Sequence, residues 1–215
     1  MHSKNKIYNA LDRRAIGKVC VKLSFGESGN PNHLAPALIA PLVQGLNATL
    51  VECNTAYQSS RRHSSDHMKT AEEHDFTTIA PIDIMDNDGE TALPVTDGKH
   101  LNLAYIGKNW LDYDFTIVLS HFKGHPSGGF GGALKNMAIG MQSSNGKAWV
   151  HTTGKNHNAD NWWTDRACVD AVHNSPDHGK VHMEQRIAER NGTHLLDYAE
   201  ELGIGTQKYV LITIE

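Results

Sequence analysis

The sequence predicts an α/β protein, a mostly parallel sheet with helices on both faces in a Rossmann-like three-layer sandwich. Three observations lead there. Short β-branched, apolar runs alternate along the chain with longer segments of helical apolar spacing. Loops rich in Gly, Asn, Pro and Ser separate them. One apolar run, Phe115 to Leu119, leads into a glycine-rich turn with a helix start beyond it. At 215 residues and 39% hydrophobic content, one α/β domain over residues 1–215 suffices to bury a core.

Taken in order, Ile7 to Arg14 has the spacing of a short amphipathic helix. Lys18 to Phe25 is the first strand, with Val19, Val21 and Leu23 alternating against Cys20, Lys22 and Ser24. Gly26, Gly29, Asn30 and Pro31 mark a loop, after which Asn32 can cap a helix over His33 to Leu46 that is apolar at Leu34, Leu38, Leu42 and Leu46. Pro36 suits its first turn, and Pro41 is expected to kink or divide it. Ala48 to Glu52 is the second strand. Ser64 and Ser65 cap a helix reaching His74, and Ile79 to Met85 is a third strand whose Pro81 places it at an edge. Asp86 to Gly89 is a plain turn, because the twelve-residue calcium pattern and its terminal Glu are absent. A hairpin or loops reach Gly107, followed by a short helix near Lys108 to Leu111. After the fourth strand and the glycine loop, Ala133 to Met141, Trp162 to Val172, Val181 to Arg190 and His194 to Leu202 read as helices, and Lys208 to Ile214 as a final strand.

The chemistry concentrates between Ser120 and Asn136, with His151 downstream. Gly128, Gly129, Gly131 and Gly132 remove four β-carbons within five residues, so backbone N–H groups can approach a ligand. A helix start at Ala133 points its dipole at the same place, which favours an anion. His121, His125 and Lys135 add groups that bind metal, transfer protons or pair with a carboxylate or phosphate. Asn136 stands where a Walker loop needs Ser or Thr, which excludes that motif. In a parallel sheet, ligands bind beyond the carboxyl ends of the strands. That rule selects the loops Phe25 to His33, Asn54 to His63 and Ser120 to Gly132, and with them Glu27, Asn54, Tyr57 and Arg61 or Arg62 as acid, donor and anion-clamp candidates.

Composition removes several classes. The net charge of -4 and scattered basic residues speak against nucleic acid. Met1 to Asn9 has no apolar signal core, and no stretch approaches bilayer length, so a cytoplasmic protein without membrane contact is expected. Cys20, Cys53 and Cys168 are dispersed, which fits reduced thiols and argues against an iron-sulfur cluster carried by this chain. Fourteen histidines are too many to be read as a metal site by count alone.

Four segments together carry a family resemblance: Val21 to Asn30, Glu52 to Tyr57, Leu119 to Asn136, and Gly192 to Gly205. The chain resembles a widespread bacterial and archaeal domain of unknown function, family 362, whose members are often labelled Fe-S centre proteins. Relatives of this type carry an Asp-Cys-Asp-Cys element or a ferredoxin-like insert, whereas here Trp162-Trp163-Thr164-Asp165-Arg166 runs directly into Ala167-Cys168. That segment is deleted, or the sequence at hand omits it. The glycine loop is also similar to the amino-terminal domain of nickel-pincer lactate racemases, through His125, Gly129-Phe130-Gly131-Gly132, Lys135 and His151. That likeness implies His125 as acid or base, Lys135 as a cofactor-attachment or anion-binding residue, and His151 as a metal ligand.

Three functional readings follow. The first is an enzyme using a divalent metal, nickel or zinc, or another cofactor on a small anionic substrate. Here His125 and Lys135 are catalytic, His121, His125 and His151 lie at the metal, and Gly128, Gly129, Gly131, Gly132, Lys135, Asn54 and Arg61 hold the cofactor. The second is a phosphate or nucleotide binding module without catalysis. The third is an Fe-S-associated or assembly subunit, in which Trp162 and Trp163 meet a partner or a second copy.

Overall fold

The computed structural model describes residues 14–125, 129–151, 176–177, 180–189 and 191–201. Its centre is a sheet of four parallel strands, β1 (Val19–Lys22), β2 (Thr49–Glu52), β3 (Ile82–Ile84) and β6 (Phe115–Val118), in the order β3-β2-β1-β6. Cys20 lies opposite Thr49 on one side and opposite Thr116 on the other. The chain runs outward from β1 to β3 and then returns to the far side of β1. This creates a topological switch between β1 and β6, beside which ligands bind in such sheets.

Each strand sorts its side chains between two faces. Val19, Val21, Leu23, Leu50, Ile84 and Ile117 pack with Ile39 and Val43 of α1 (Pro36–Gly45) and Ala71 of α2 (Ser64–Glu73). Cys20, Val51, Cys53 and Met85 face the other way, against Met141, Trp110 and Tyr113. All four β1 residues are therefore buried, and the alternation that suggests an outward Lys22 is overruled by a sheet covered on both sides. Pro81 precedes β3 at the sheet edge, where its carbonyl accepts from Leu50 N at 2.9 Å.

Several local expectations are corrected. Pro41 does not divide α1, because its ring lies on the exposed side while Ile39, Leu42 and Val43 hold the helix to the sheet. Leu38 is exposed, so the buried stripe is displaced from the expected leucine spacing. Neither Asn32 nor Ser64 caps a helix. The caps are Ala35 and His63, and the Ser64 hydroxyl instead accepts from Asn54 Nδ2 at 2.9 Å. Asn47, at φ 49°, turns α1 into β2, with Ala48 N reaching back to Val43 O at 3.0 Å.

The expected strand–turn–helix at the glycines contains an extra layer. Between β6 and α3 (Ala133–Ala138), β7 (Lys123–His125) and β8 (Gly129–Gly131) form an antiparallel ribbon. Gly129 has φ 78°, and a β-carbon there would meet Ile187 Cα at 2.9 Å. Phe130 packs against Ile187 and Leu196, on α5 (Lys180–Glu189) and α6 (His194–Glu201), with Phe122 alongside. The segment from Ser144 to His151 is a helix, α4, and β4 (Glu90–Pro94) with β5 (Leu103–Gly107) is the expected hairpin. The helices expected over Ile7 to Arg14 and Trp162 to Val172, the strand over Lys208 to Ile214, and the Trp163–Cys168 departure fall outside the described residues, apart from Arg14 itself.

Gly107 is a packing requirement. A β-carbon there would meet Cys53 Sγ at 2.7 Å and Met85 Cβ at 2.7 Å. Gly107→Ala is therefore expected to lower the urea unfolding free energy by roughly 1–3 kcal/mol at unchanged denaturant slope.

Candidate functional site

At the carboxyl ends of β1, β2 and β6 lies a cavity of about 190 Å³. The three loops selected from sequence all reach it, through Glu27 and His33, through Thr55, Tyr57 and Arg61, and through Ser120, His121, Lys123, His125, Gly131 and Gly132. Lys135, Asn136, Lys22, Glu52 and Lys147 complete the wall.

The acidic side is built on Glu52, the last residue of β2. Its Oε2 accepts from Phe25 N at 2.8 Å and lies 3.3 Å from His67 Nε2, and its Oε1 accepts from Arg61 Nη1 at 2.6 Å. Burial alone would raise the Glu52 carboxyl. Arg61, the His67 contact and Lys22 instead hold it well below the usual carboxylate range. Burial keeps His67 below its ordinary value despite that contact, and the Asn54 amide bridges its Nδ1 to Ser64 Oγ. Arg61 Nη2 also pairs with Glu27 Oε1, and Tyr57 Oη donates to the same carboxylate at 3.3 Å. Both carboxylates of the cavity are thus engaged by one guanidinium.

The basic side is built on lysines, of which Lys22 and Lys147 are buried. Lys22 Nζ donates to Leu23 O at 2.6 Å and to Asn136 Oδ1 at 2.7 Å. The Asn136 amide donates in turn to Leu119 O and Ser120 Oγ, both at 3.0 Å, so it ties β1 to β6 across the switch. Lys147, on α4, donates to Cys53 O at 2.9 Å and to Asn54 O, carbonyls that leave the sheet after β2 and need a partner. Burial lowers Lys22 to about 8 against the pull of Glu52, and lowers Lys147 as well. Lys135, in the first turn of α3, is lowered to about 7, by burial first and then by Lys123, Lys147, Arg61 and Lys22. Five cationic side chains and two carboxylates share this one cavity.

Of the residues singled out by sequence, His121, His125, Gly131, Gly132, Lys135 and Arg61 line the cavity. Arg61 is engaged by Glu27 and Glu52 rather than presented as an open clamp. Arg62 is drawn away to Thr55 O, Ala56 O and Ser144 Oγ. Asn54 lies beneath the wall in the His67 network, and Gly129 packs on Ile187. Gly128 and the His151 side chain lie outside the described residues, and His151 ends α4. Among the described residues, no group of three or more His, Cys, Asp or Glu side chains could hold a metal ion. Sequence reasoning missed Lys22, Glu52, Asn136 and Lys147 as site residues. A lysine within the apolar run of a parallel strand was the signal for the first.

Fold and site together define a Rossmann-like α/β protein with a cationic cavity at its topological switch. The chain belongs to the family described as a domain of unknown function, DUF362, whose model matches residues 19–204. No curated protein matches the chain. No helix among the described residues is long and apolar enough to cross a membrane.

Two predictions follow from the Glu52 cluster. Arg61→Met leaves two carboxylates without their shared cation and is expected to cost about 3–5 kcal/mol in urea unfolding. Because the folded Glu52 carboxyl is depressed, its stabilisation is complete above the unfolded value near 4.5 and is lost as pH falls through the folded value. Stability below pH 4.5 should accordingly fall less steeply in Glu52→Gln than in the unsubstituted protein.

Proposed function

We propose that the cavity binds a small anionic substrate on which the protein acts as an enzyme, with Lys135 as the reactive amine and His125 as proton carrier. The observation that carries this is the crowding of Lys22, Lys123, Lys135 and Lys147 around a cavity whose two carboxylates both engage Arg61. Such crowding is unfavourable in the ligand-free state, where at Lys135 the neighbouring cations add to the lowering that burial causes first, and an anion relieves it. An ammonium has three donors. Among the described residues, Lys22 and Lys147 each use two, which supports a role for the third in holding a carboxylate or phosphate oxygen. The buried thiols of Cys20 and Cys53, both free, support a cytoplasmic setting.

Bound anion favours the protonated form of Lys135, so binding near pH 7 takes up protons. Calorimetry with phosphate, sulfate and a small dicarboxylate, in two buffers of different ionisation heat, should show that uptake. Affinity should weaken as pH rises past the Lys135 value of about 7 and then the Lys22 value of about 8. Lys147→Met should weaken binding roughly 10- to 100-fold. Absence of binding heat across all three anions would overturn the proposal.

A second reading keeps a divalent metal, nickel or zinc, at His121, His125 and His151. It is supported by the two imidazoles of His121 and His125 lining the same cavity. Elemental analysis of protein purified without metal-affinity resin should then find stoichiometric nickel or zinc that His125→Ala removes. Metal-free protein, after growth with both metals, would sink this reading.

A further inference from the structure

The lysines of the cavity are not equivalent. Lys22 and Lys147 are each fixed by two hydrogen bonds in which the ammonium is the donor, to Leu23 O and Asn136 Oδ1 and to Cys53 O and Asn54 O. Those bonds fix both Nζ atoms against backbone and amide oxygens, and a third N–H on each ammonium fits them to hold an anion. Lys135 stands on the first turn of α3 with its stem against Gly131, where even a β-carbon would lie 3.5 Å from Lys135 Cδ. Gly131 and Gly132 keep that side of the cavity bare. The charged groups that act most on Lys135 are cations, namely Lys123, Lys147, Arg61 and Lys22. Burial and these cations lower Lys135 to about 7, so at neutral pH its amine is deprotonated far more often than that of a solvated lysine. A neutral primary amine beside two fixed ammonium groups is an arrangement for condensation with a carbonyl compound that the ammonium groups anchor.

We infer that Lys135 forms an imine with a small carbonyl compound bearing a carboxylate or phosphate group, which Lys22 and Lys147 hold; this rests on the anion-binding reading above. In the first step the Lys135 Nζ lone pair forms a bond to the carbonyl carbon, and the carbonyl π pair moves to oxygen, which takes up a proton. The nitrogen then loses a proton. The hydroxyl takes up another and departs as water, while the nitrogen pair closes the carbon–nitrogen double bond. The balance is amine plus carbonyl plus one proton giving iminium plus water, and no oxidant or reductant is consumed. His121 and His125 line the same cavity and can carry these protons. The iminium keeps a positive charge on Nζ, which the anionic group of the ligand offsets.

The experiment uses the full chain at pH 7 with cyanoborohydride present, in one arm with pyruvate and in the other with dihydroxyacetone phosphate. Protease mapping by mass spectrometry then locates the reduced adduct. The expected result is an adduct on Lys135 in at least one arm, forming at least tenfold faster than on the exposed Lys69 and Lys99 and slowed by excess sulfate. The arm that reacts tells carboxylate from phosphate. Lys135→Arg should abolish the cavity adduct, and if that variant does not fold, the position of the adduct in the unsubstituted chain decides. An adduct missing from Lys135, or no faster there than on the exposed lysines, overturns the imine. When calorimetry has already detected phosphate or sulfate, that negative result leaves the anion-binding reading standing. Absence of both binding heat and adduct overturns the two together.

Discussion

A carboxylate buried at the end of a parallel strand fixes the geometry of this protein. Glu52 cannot be left there unpaired, since an isolated buried charge costs several kcal/mol. The surrounding elements converge on it. Arg61 folds in from the loop after β2, Phe25 offers its backbone N–H from the end of β1, and His67 reaches across from α2. Three separate stretches of chain are thus held at one edge of the sheet by a group smaller than any of them. Because Arg61 continues to Glu27, the loop after β1 is held against the same cluster, and the cavity acquires its acidic wall.

The opposite wall obeys a different rule. There the lysines are brought together by backbone bookkeeping. Carbonyls that leave the sheet after β1 and β2 lack ladder partners, and ammonium groups from within β1 and from α4 satisfy them. The result is a concentration of positive charge on lysines whose basicity is depressed, by burial first and at Lys135 also by the neighbouring cations. Stability of this kind rises with pH. A lysine lowered to about 7 or 8 releases its folded-state penalty as pH climbs from that value toward the ordinary 10.5. An anion beside these lysines would bring the same relief at neutral pH without loss of the proton.

Much of the architecture was legible in the chain. The β-branched runs at Val19, Thr49 and Phe115 gave the parallel strands, Pro81 marked the edge, and the strand-end rule chose three loops that do meet at one cavity. What the sequence concealed has physical causes. Lys22 looks like the polar half of an alternating strand until one knows that the sheet is covered on both faces. Glu52 looks like a strand terminus, and its importance lies in partners 9, 15 and 27 positions away. The ribbon of β7 and β8 carries little β propensity of its own, because glycines make up half of it. It forms because Phe130 has a pocket on α5 and α6, a long-range fact that no local window contains.

That pocket gives the molecule a second, quieter means of adjustment. The ribbon presents Lys123 and His125 to the cavity, yet its seating is decided behind it, by Phe130, Ile187 and Leu196. A methyl group gained or lost among those apolar residues changes the packing on which the ribbon rests, with no ionisable group altered. The shape of the opening is therefore adjustable from the dry side of the ribbon with the charge arrangement left intact.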